Sequence, residues 1–334
     1  MATMNFRRFW TAGKRELCAN GASVAVHVSV LLALYFGAMT PAPVLAEQAP
    51  PRVAVTVKPI HSLVALVMAG VGEPDLLITG ADSPHTHAIR PSEAKVIDSA
   101  KLLFWIGPTM ESSFAKPIAA LAHGKVISML DTPGVTVLPI RPAGNLTEDP
   151  GERDADETPG APDPHIWLDP ENARAMTRAI AAALSAADPA HAQAYAANAA
   201  EADRRLVAID AELRGKLAPI RDTPFIPYHD AYQYLERRYG LTDAGAVTLS
   251  PERTPGIWRI GKLRKSIAAR QVRCVFTEPE FQPAIVRTLV AGTGAKVATL
   301  DPEGAKIPGG PDFYFVLMRQ VAESLRACLL PGPG

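Results

Sequence analysis

The chain has 334 residues, which is enough for two domains or one large one. Its 34 Lys and Arg residues are balanced by 34 Asp and Glu residues, so the formal charge at pH 7 is zero. This balance argues against nucleic acid as a partner, because such proteins present an excess of basic charge.

Residues 1–46 are predicted to be an export signal. A basic head at 7–15 precedes an apolar run at 22–39, and the small residues Val44 and Ala46 fit cleavage after Ala46. The apolar run is longer than a usual signal core, so an uncleaved membrane anchor is the alternative. The fold is therefore expected to begin after this segment.

The first block after the signal segment alternates short apolar strands with helices. We predict strands at 53–57, 75–78, 102–106 and 126–129, with helices at 60–69, from Pro91 and after 106. This alternation indicates βα units on a mostly parallel sheet. We assign residues 52–188 to a first α/β lobe.

Residues 141–164 differ from the rest of this lobe because they are rich in Pro, Gly and acidic residues. Such a segment cannot bury an apolar core, so we expect a mobile surface loop.

An alanine-rich stretch follows the acidic loop at residues 170–217. Pro189 splits it, because proline is tolerated in the first turn of a helix but not in its interior. We predict a linking helix at 189–217, ~40 Å long at 1.5 Å per residue.

The second block, 218–330, repeats the βα pattern and forms a second α/β lobe. Strands are predicted at 225–226, 246–248, 272–276 and 297–300, and a last helix at 312–327.

Two cysteines remain after the signal segment. Cys274 lies in a predicted strand, and Cys328 closes the last helix. In an exported chain, such a pair favours a disulfide over metal ligation.

Three histidines stand in dense local signatures far apart along the chain. His85 and His229 each follow a predicted strand, and His165 follows the acidic loop. This spacing excludes a zinc finger, whose ligands come in close pairs. Loops at the carboxyl ends of parallel strands can bring such residues together, and three imidazoles suit Zn(II). The sequence therefore predicts one metal site in the fold.

Other residues are candidates for the surroundings of this site. Asp301 and Glu278 each end a strand of the second block. We expect Asp301 as a possible fourth ligand and Glu278 as a support that accepts an imidazole N–H. His61 lies near the carboxyl end of the first strand; a role in the cleft and an ordinary position at the start of a helix are equally open. His87 shares the turn of His85, and we expect only one of the two to bind.

These residues match a known family. The chain resembles the periplasmic metal-binding proteins of ABC importers for zinc and manganese (the cluster A-I solute-binding proteins) over residues 52–330. The motifs that carry the resemblance are Lys58-Pro-Ile-His61, His85 with Arg90-Pro-Ser92, Trp105-Ile-Gly-Pro108, His165-Ile-Trp-Leu168, His229-Asp-Ala-Tyr232, Cys274-Val-Phe-Thr-Glu-Pro279 and Leu300-Asp-Pro302.

The resemblance implies two α/β lobes joined by a long rigid helix, with the metal in the cleft between them. It implies His85, His165 and His229 as ligands of transported zinc, and a monomeric periplasmic receptor that serves an inner-membrane ABC permease. Histidine at 229 favours zinc over manganese, since manganese members tend to have glutamate there. The Cys274 and Cys328 pair matches a disulfide of zinc members.

The chain departs from the family pattern at two places. Zinc members often carry a histidine-rich loop in the region of residues 141–164, but this loop has acids and no histidine. Some members have a glutamate before the first histidine, where this chain has Pro84.

Two other functions are alternatives to a zinc receptor. A manganese or mixed-metal receptor is the nearer alternative. A zinc hydrolase with Glu278 as general base is the more distant one, because no HExxH helix is present.

Overall fold

The structure is a computed structural model that describes residues 49–80, 82–141, 146, 160–249, 254–279 and 284–331. The predicted signal segment and most of the acidic loop lie outside the described residues. Within the described residues, none of the helices combines the length and apolar character that a membrane span requires.

The first half of the described chain is built on a parallel sheet of four strands in the order β2-β1-β3-β4. The elements are β1 Val53–Val55, α1 Lys58–Val67, β2 Asp75–Leu76, α2 Pro91–Ser99, β3 Leu102–Trp105, α3 Ser112–Leu121 and β4 Lys125–Ser128. The predicted βα units are confirmed, with strand ends shifted by one to two residues. Pro91 does open α2, where Glu93 accepts the backbone N–H of Arg90.

Two helices connect this sheet to the second half. A 3-10 turn at Ile166–Leu168 leads into α4, Pro170–Ala187, whose first turn is capped by the Asp169 carboxylate. After a 3-10 turn at Pro189–His191, α5 extends over Ala192–Leu217. Its 26 residues span ~39 Å. The predicted long helix is thus confirmed, with Pro189 in the short turn that precedes it.

A second parallel sheet has three strands in the order β5-β6-β7. The elements are β5 Phe225–Ile226, α6 Gln233–Tyr239, α7 Ile257–Arg270, β6 Cys274–Thr277, α8 Ala284–Val290, β7 Lys296–Thr299 and α9 Phe313–Leu329. The predicted strand at 246–248 is wrong. Residues there make only an isolated bridge, Thr248 to His229. Pro227 accepts the N–H of Val247 but has no N–H to donate, so a regular ladder cannot continue past β5.

The last helix packs on elements from both halves of the chain. α9 contacts α1, α5 and β7. Its Tyr314 hydroxyl donates to the backbone carbonyl of Trp167, and its Tyr314 N–H donates to Ser62. A disulfide joins Cys274 of β6 to Cys328 of α9, as the sequence predicts. The residues after β7 therefore connect the second sheet to the first half of the chain through packing, hydrogen bonds and the disulfide.

A fully buried glutamate joins the carboxyl ends of β1 and β3. The Glu111 carboxylate accepts hydrogen bonds from the Thr56 hydroxyl, the Ile106 N–H at 3.1 Å and the Gly107 N–H at 3.0 Å. Burial raises the pKa of Glu111 to about 7, against an ordinary 4.5, although its hydrogen bonds act to lower it. Ionisation of this group thus works against the folded state.

We expect this cost to appear in the pH dependence of stability. The pKa of Glu111 in the folded protein lies above its value in the unfolded chain. The stabilisation that the protonated carboxyl gives the folded state is therefore fully present below pH ~4.5 and is lost as pH rises through about 7. The stability of the wild type relative to Glu111→Gln should therefore fall by as much as about 3 kcal/mol between pH 4.5 and pH 8. Urea unfolding of both proteins at several pH values measures this. A difference in unfolding free energy between the two proteins that stays constant with pH would contradict this prediction.

Candidate metal centre

Three imidazoles from distant parts of the chain meet at one point. One ring nitrogen from each of His85, His165 and His229 lies within 4.8 Å of the other two. The ring centroids are 5.1 to 5.8 Å apart. His165 and His229 are buried, with 4% and 2% of their surface exposed, and His85 is half-buried.

The parallel sheets explain this meeting. His85 lies in the turn after β2 and His229 lies three residues after the end of β5, so both stand beyond the carboxyl ends of their strands. His165 directly precedes the 3-10 turn that enters α4. Each histidine thus lies in a loop that adjoins a strand or a helix, and this element fixes its position.

Carboxylates orient two of the three rings. Both Glu278 oxygens lie 2.7 Å from His229 Nδ1, and Asp163 Oδ1 lies 2.8 Å from His165 Nδ1. Because an ionised carboxylate can only accept, each Nδ1 carries the hydrogen and each Nε2 carries a lone pair. The supporting contact predicted for Glu278 is therefore present in the structure.

The two Nε2 atoms, of His165 and His229, are 3.2 Å apart. Two lone pairs that face each other at this distance repel unless a proton or a cation lies between them. Two nitrogens bound at ~2.05 Å to one tetrahedral zinc ion would be ~3.3 Å apart. The spacing therefore fits two ligands of one zinc ion.

The electrostatics of the site also suit a dication. Burial, together with the positive charge that His165 and His229 can carry, lowers the pKa of His85 well below 6.5. His85 is therefore neutral at physiological pH, which is the form that binds metal. The buried Asp163 and Glu278 carboxylates supply two negative charges behind the rings. A bound dication would balance them.

Asp301, the possible fourth ligand, is not among the residues whose ligand atoms meet here. Its carboxylate accepts the backbone N–H groups of Glu303 at 3.0 Å, Gly304 at 2.7 Å and Ala305 at 2.8 Å. In this structure both Asp301 oxygens accept hydrogen bonds from the loop after β7. The assignment of Asp301 as a fourth ligand stays a prediction.

The remaining histidine candidates lie outside the cluster. His61 Nε2 lies 3.0 Å from the Pro74 carbonyl, and burial lowers the pKa of His61. His87 is buried, bonds to Glu93 at 2.9 Å and stacks on Phe114. Of the two histidines on this turn, His85 alone belongs to the cluster of described residues whose ligand atoms meet.

Polar contacts hold the loop after β7 against the first half of the chain beside this site. Lys58 Nζ donates to the carbonyls of Gly304 at 3.2 Å and Ala305 at 3.0 Å. Trp167 Nε1 donates to the Pro302 carbonyl at 2.9 Å. Both donors belong to family motifs quoted above, and their role in joining the halves could not be derived from spacing.

The fold and the site together define a metal-binding solute receptor of the α/β class, with imidazoles from both halves of the chain. The chain belongs to the ZnuA family, whose model (zinc-uptake complex component A, periplasmic) matches residues 53–328. A high-affinity zinc uptake system protein ZnuA from Brucella abortus (strain 2308) is 40% identical over 304 residues, which cover 83% of this chain and 91% of that protein.

Solved structures share the fold. A ZnuA deletion mutant with zinc bound has a TM-score of 0.71 at 23% identity, covering 85% of this chain and all of the other. A manganese-bound periplasmic metal-binding protein from Candidatus Liberibacter asiaticus has a TM-score of 0.69 at 19% identity, covering 84% and 100%. At these identities the likeness concerns the fold alone.

The contact of Asp163 with His165 is not predicted by the sequence patterns. The signal was available in the order Asp163-Pro-His165, because a side chain two residues before a ligand can reach its ring. Without the backbone turn, however, this spacing does not distinguish a contact from an acidic loop residue that faces water.

Proposed function

We propose that this protein is a periplasmic zinc-binding receptor that delivers Zn(II) to an inner-membrane ABC permease. His85, His165 and His229 would bind the ion. The observation that carries the proposal is the pair of Nε2 atoms 3.2 Å apart, each with its Nδ1 held by a buried carboxylate. In the same proposal the chain acts as a monomer.

The proposal extends to the organisation of the chain. The leader, residues 1–46, would be removed after Ala46. Two lobes, 52–188 and 218–330, would be linked by residues 189–217. The two separate parallel sheets and the 26-residue helix between them support this division.

Zinc is favoured over manganese by the donor set. The three converging ligand atoms are all imidazole nitrogens, whereas manganese prefers carboxylate, carbonyl and water oxygens. The 40% identical Brucella protein is named for zinc uptake. The manganese alternative comes from the family resemblance, and the manganese-bound structural neighbour at 19% identity supports the fold only.

A competition experiment tests the metal choice. Protein without residues 1–46, stripped with chelator, would be dialysed against equal concentrations of zinc and manganese and analysed for bound metal. We expect one zinc ion per chain and an affinity for zinc at least ~100-fold above that for manganese, following the order of divalent ion affinities for nitrogen ligands. Equal occupancy by manganese would overturn the assignment.

A hydrolase with Glu278 as general base is disfavoured by geometry. Both Glu278 oxygens lie 2.7 Å from His229 Nδ1, so this carboxylate orients a ligand rather than a water. A base must reach the proton it abstracts directly or through one water. We therefore propose binding and transport without catalysis.

The acidic loop is not expected to contribute to affinity. Its base is fixed by hydrogen bonds from Ile140 N–H to the Ala161 carbonyl and from Asp163 N–H to the Leu138 carbonyl, each 2.8 Å. Deletion of residues 144–160 leaves both bonds and all three histidines in place. We expect zinc affinity, measured by chelator competition, to change less than about twofold, which is under 0.5 kcal/mol. A tenfold loss would show that the loop supplies a ligand.

A further inference from the structure

We infer that Asp163 is a positioning residue of the zinc site, which holds His165 in its ligating tautomer and is itself held by α6. The inference rests on the proposed zinc-binding function. It assigns to the base of the acidic loop a role that the loop's own composition does not suggest.

The contacts of Asp163 divide between the two halves of the chain. The residue is 3% exposed. Its Oδ1 accepts the backbone N–H of His165 at 3.0 Å and the ring Nδ1–H at 2.8 Å. Its Oδ2 accepts an N–H from Gln233 Nε2 at 2.8 Å. One carboxylate therefore ties a proposed ligand to the first residue of α6.

α6 also hydrogen-bonds to both chain segments at the base of the loop. The Tyr234 hydroxyl donates to the Asp163 carbonyl at 2.7 Å and accepts the Leu138 N–H at 3.0 Å. Gln233 Nε2 lies 3.1 Å from the Pro139 carbonyl as well. Asp163 is thus fixed at its backbone and at both carboxylate oxygens, so it can orient His165 rather than follow it.

This arrangement connects two of the three imidazoles. α6 begins four residues after His229, and Asp163 lies two residues before His165. The path from His229 through α6 and Gln233 to Asp163 and His165 consists of short backbone segments and direct hydrogen bonds. A displacement of α6 would therefore move Asp163 and change how His165 presents Nε2.

The chemical effect of the contact is on the tautomer of His165. A carboxylate acceptor on Nδ1 places the hydrogen there and leaves Nε2 free for metal. Loss of such a carboxylate partner commonly weakens metal binding by ~10- to 100-fold. His229 has the equivalent partner in Glu278, so the site holds two rings in the same way.

The test is Asp163→Asn, with Asp188→Asn as a matched control. Asp188 holds His191 Nδ1 at 2.7 Å in the same manner, but neither residue belongs to the cluster. Zinc affinity would be measured by chelator competition, and the tautomer of His165 by ¹⁵N NMR of the metal-free protein. We expect Asp163→Asn to weaken zinc binding ~10- to 100-fold and to reduce the Nδ1–H form of His165, with the control unchanged in both.

A second variant covers the case in which Asp163→Asn does not fold. Gln233→Leu keeps the carboxylate but removes its anchor, and we expect a shifted His165 Nδ1 resonance and weaker zinc binding, by up to ~10-fold. If the wild type binds zinc and these variants match the control in affinity and tautomer, the role of Asp163 is refuted while zinc binding stands. If the wild type itself does not bind zinc, the proposed function fails first.

Discussion

Replacing His229 by alanine should weaken zinc binding by ~10²- to 10³-fold. Structural zinc sites of four protein ligands bind with ~10–16 kcal/mol, so one ligand corresponds to roughly 2.5–4 kcal/mol. The variant also leaves Glu278 without its imidazole partner, in a position where its side chain is 1% exposed. A buried carboxylate that loses its partner adds a cost to the folded protein.

The matched control for this variant is His191→Ala. His191 bonds to Asp188, which also accepts the Tyr195 hydroxyl, and none of these three residues belongs to the cluster. We expect its zinc affinity to equal that of the wild type. Titration calorimetry with a competing chelator measures both variants. Equal losses in the two would show that the cluster is not the zinc site.

Removal of the disulfide should give the largest loss of stability. Cys274 and Cys328 close a loop of 54 residues, for which the chain-entropy relation gives about 4 kcal/mol at 25 °C. The free energy of unfolding of the double variant Cys274→Ser, Cys328→Ser should therefore be lower by that amount, and the variant should unfold at a lower urea concentration. Wild-type protein under reducing conditions should show the same loss, which separates the bond from the serine substitutions.

Zinc affinity of the folded double variant should change little. Glu278 directly follows β6, but the hydrogen bonds of β6 to β5 and β7 keep that strand in place. An unchanged unfolding midpoint would contradict a structural role for the disulfide. A loss of zinc affinity at full folding would show instead that the bridge sets the position of Glu278.

Regular structure was largely predictable because it depends on local patterns. Apolar runs predicted all seven strands of the described residues. Pro91 marked the start of α2, and Pro189 marked the short 3-10 turn that precedes α5. The predicted strand at 246–248 failed because its partner residue Pro227, which follows β5, cannot donate to a ladder. The sequence pattern of 246–248 cannot reveal this, because it does not show that Pro227 becomes the neighbouring residue.

The candidate site divides in the same way. His85 and His229 could be chosen from their positions after strands, since parallel strands bring their carboxyl ends to one edge, and His165 from its position in a loop before a predicted helix. Asp301 follows a strand as well, yet its carboxylate turns to three backbone N–H groups of its own loop. Position after a strand selects candidates, but hydrogen-bond geometry decides which of them face the site.

The sequence by itself determined the class of this protein: the βα alternation, the long helix between two sheets and three separated histidines in family motifs. The tertiary structure alone decided how the site is built. It placed two Nε2 atoms 3.2 Å apart, put Glu278 and Asp163 behind the rings, and bonded the Asp301 carboxylate to the backbone of its own loop. Periodicity and spacing are properties of short segments, whereas a ligand's orientation depends on partners that only the folded chain brings within hydrogen-bond distance.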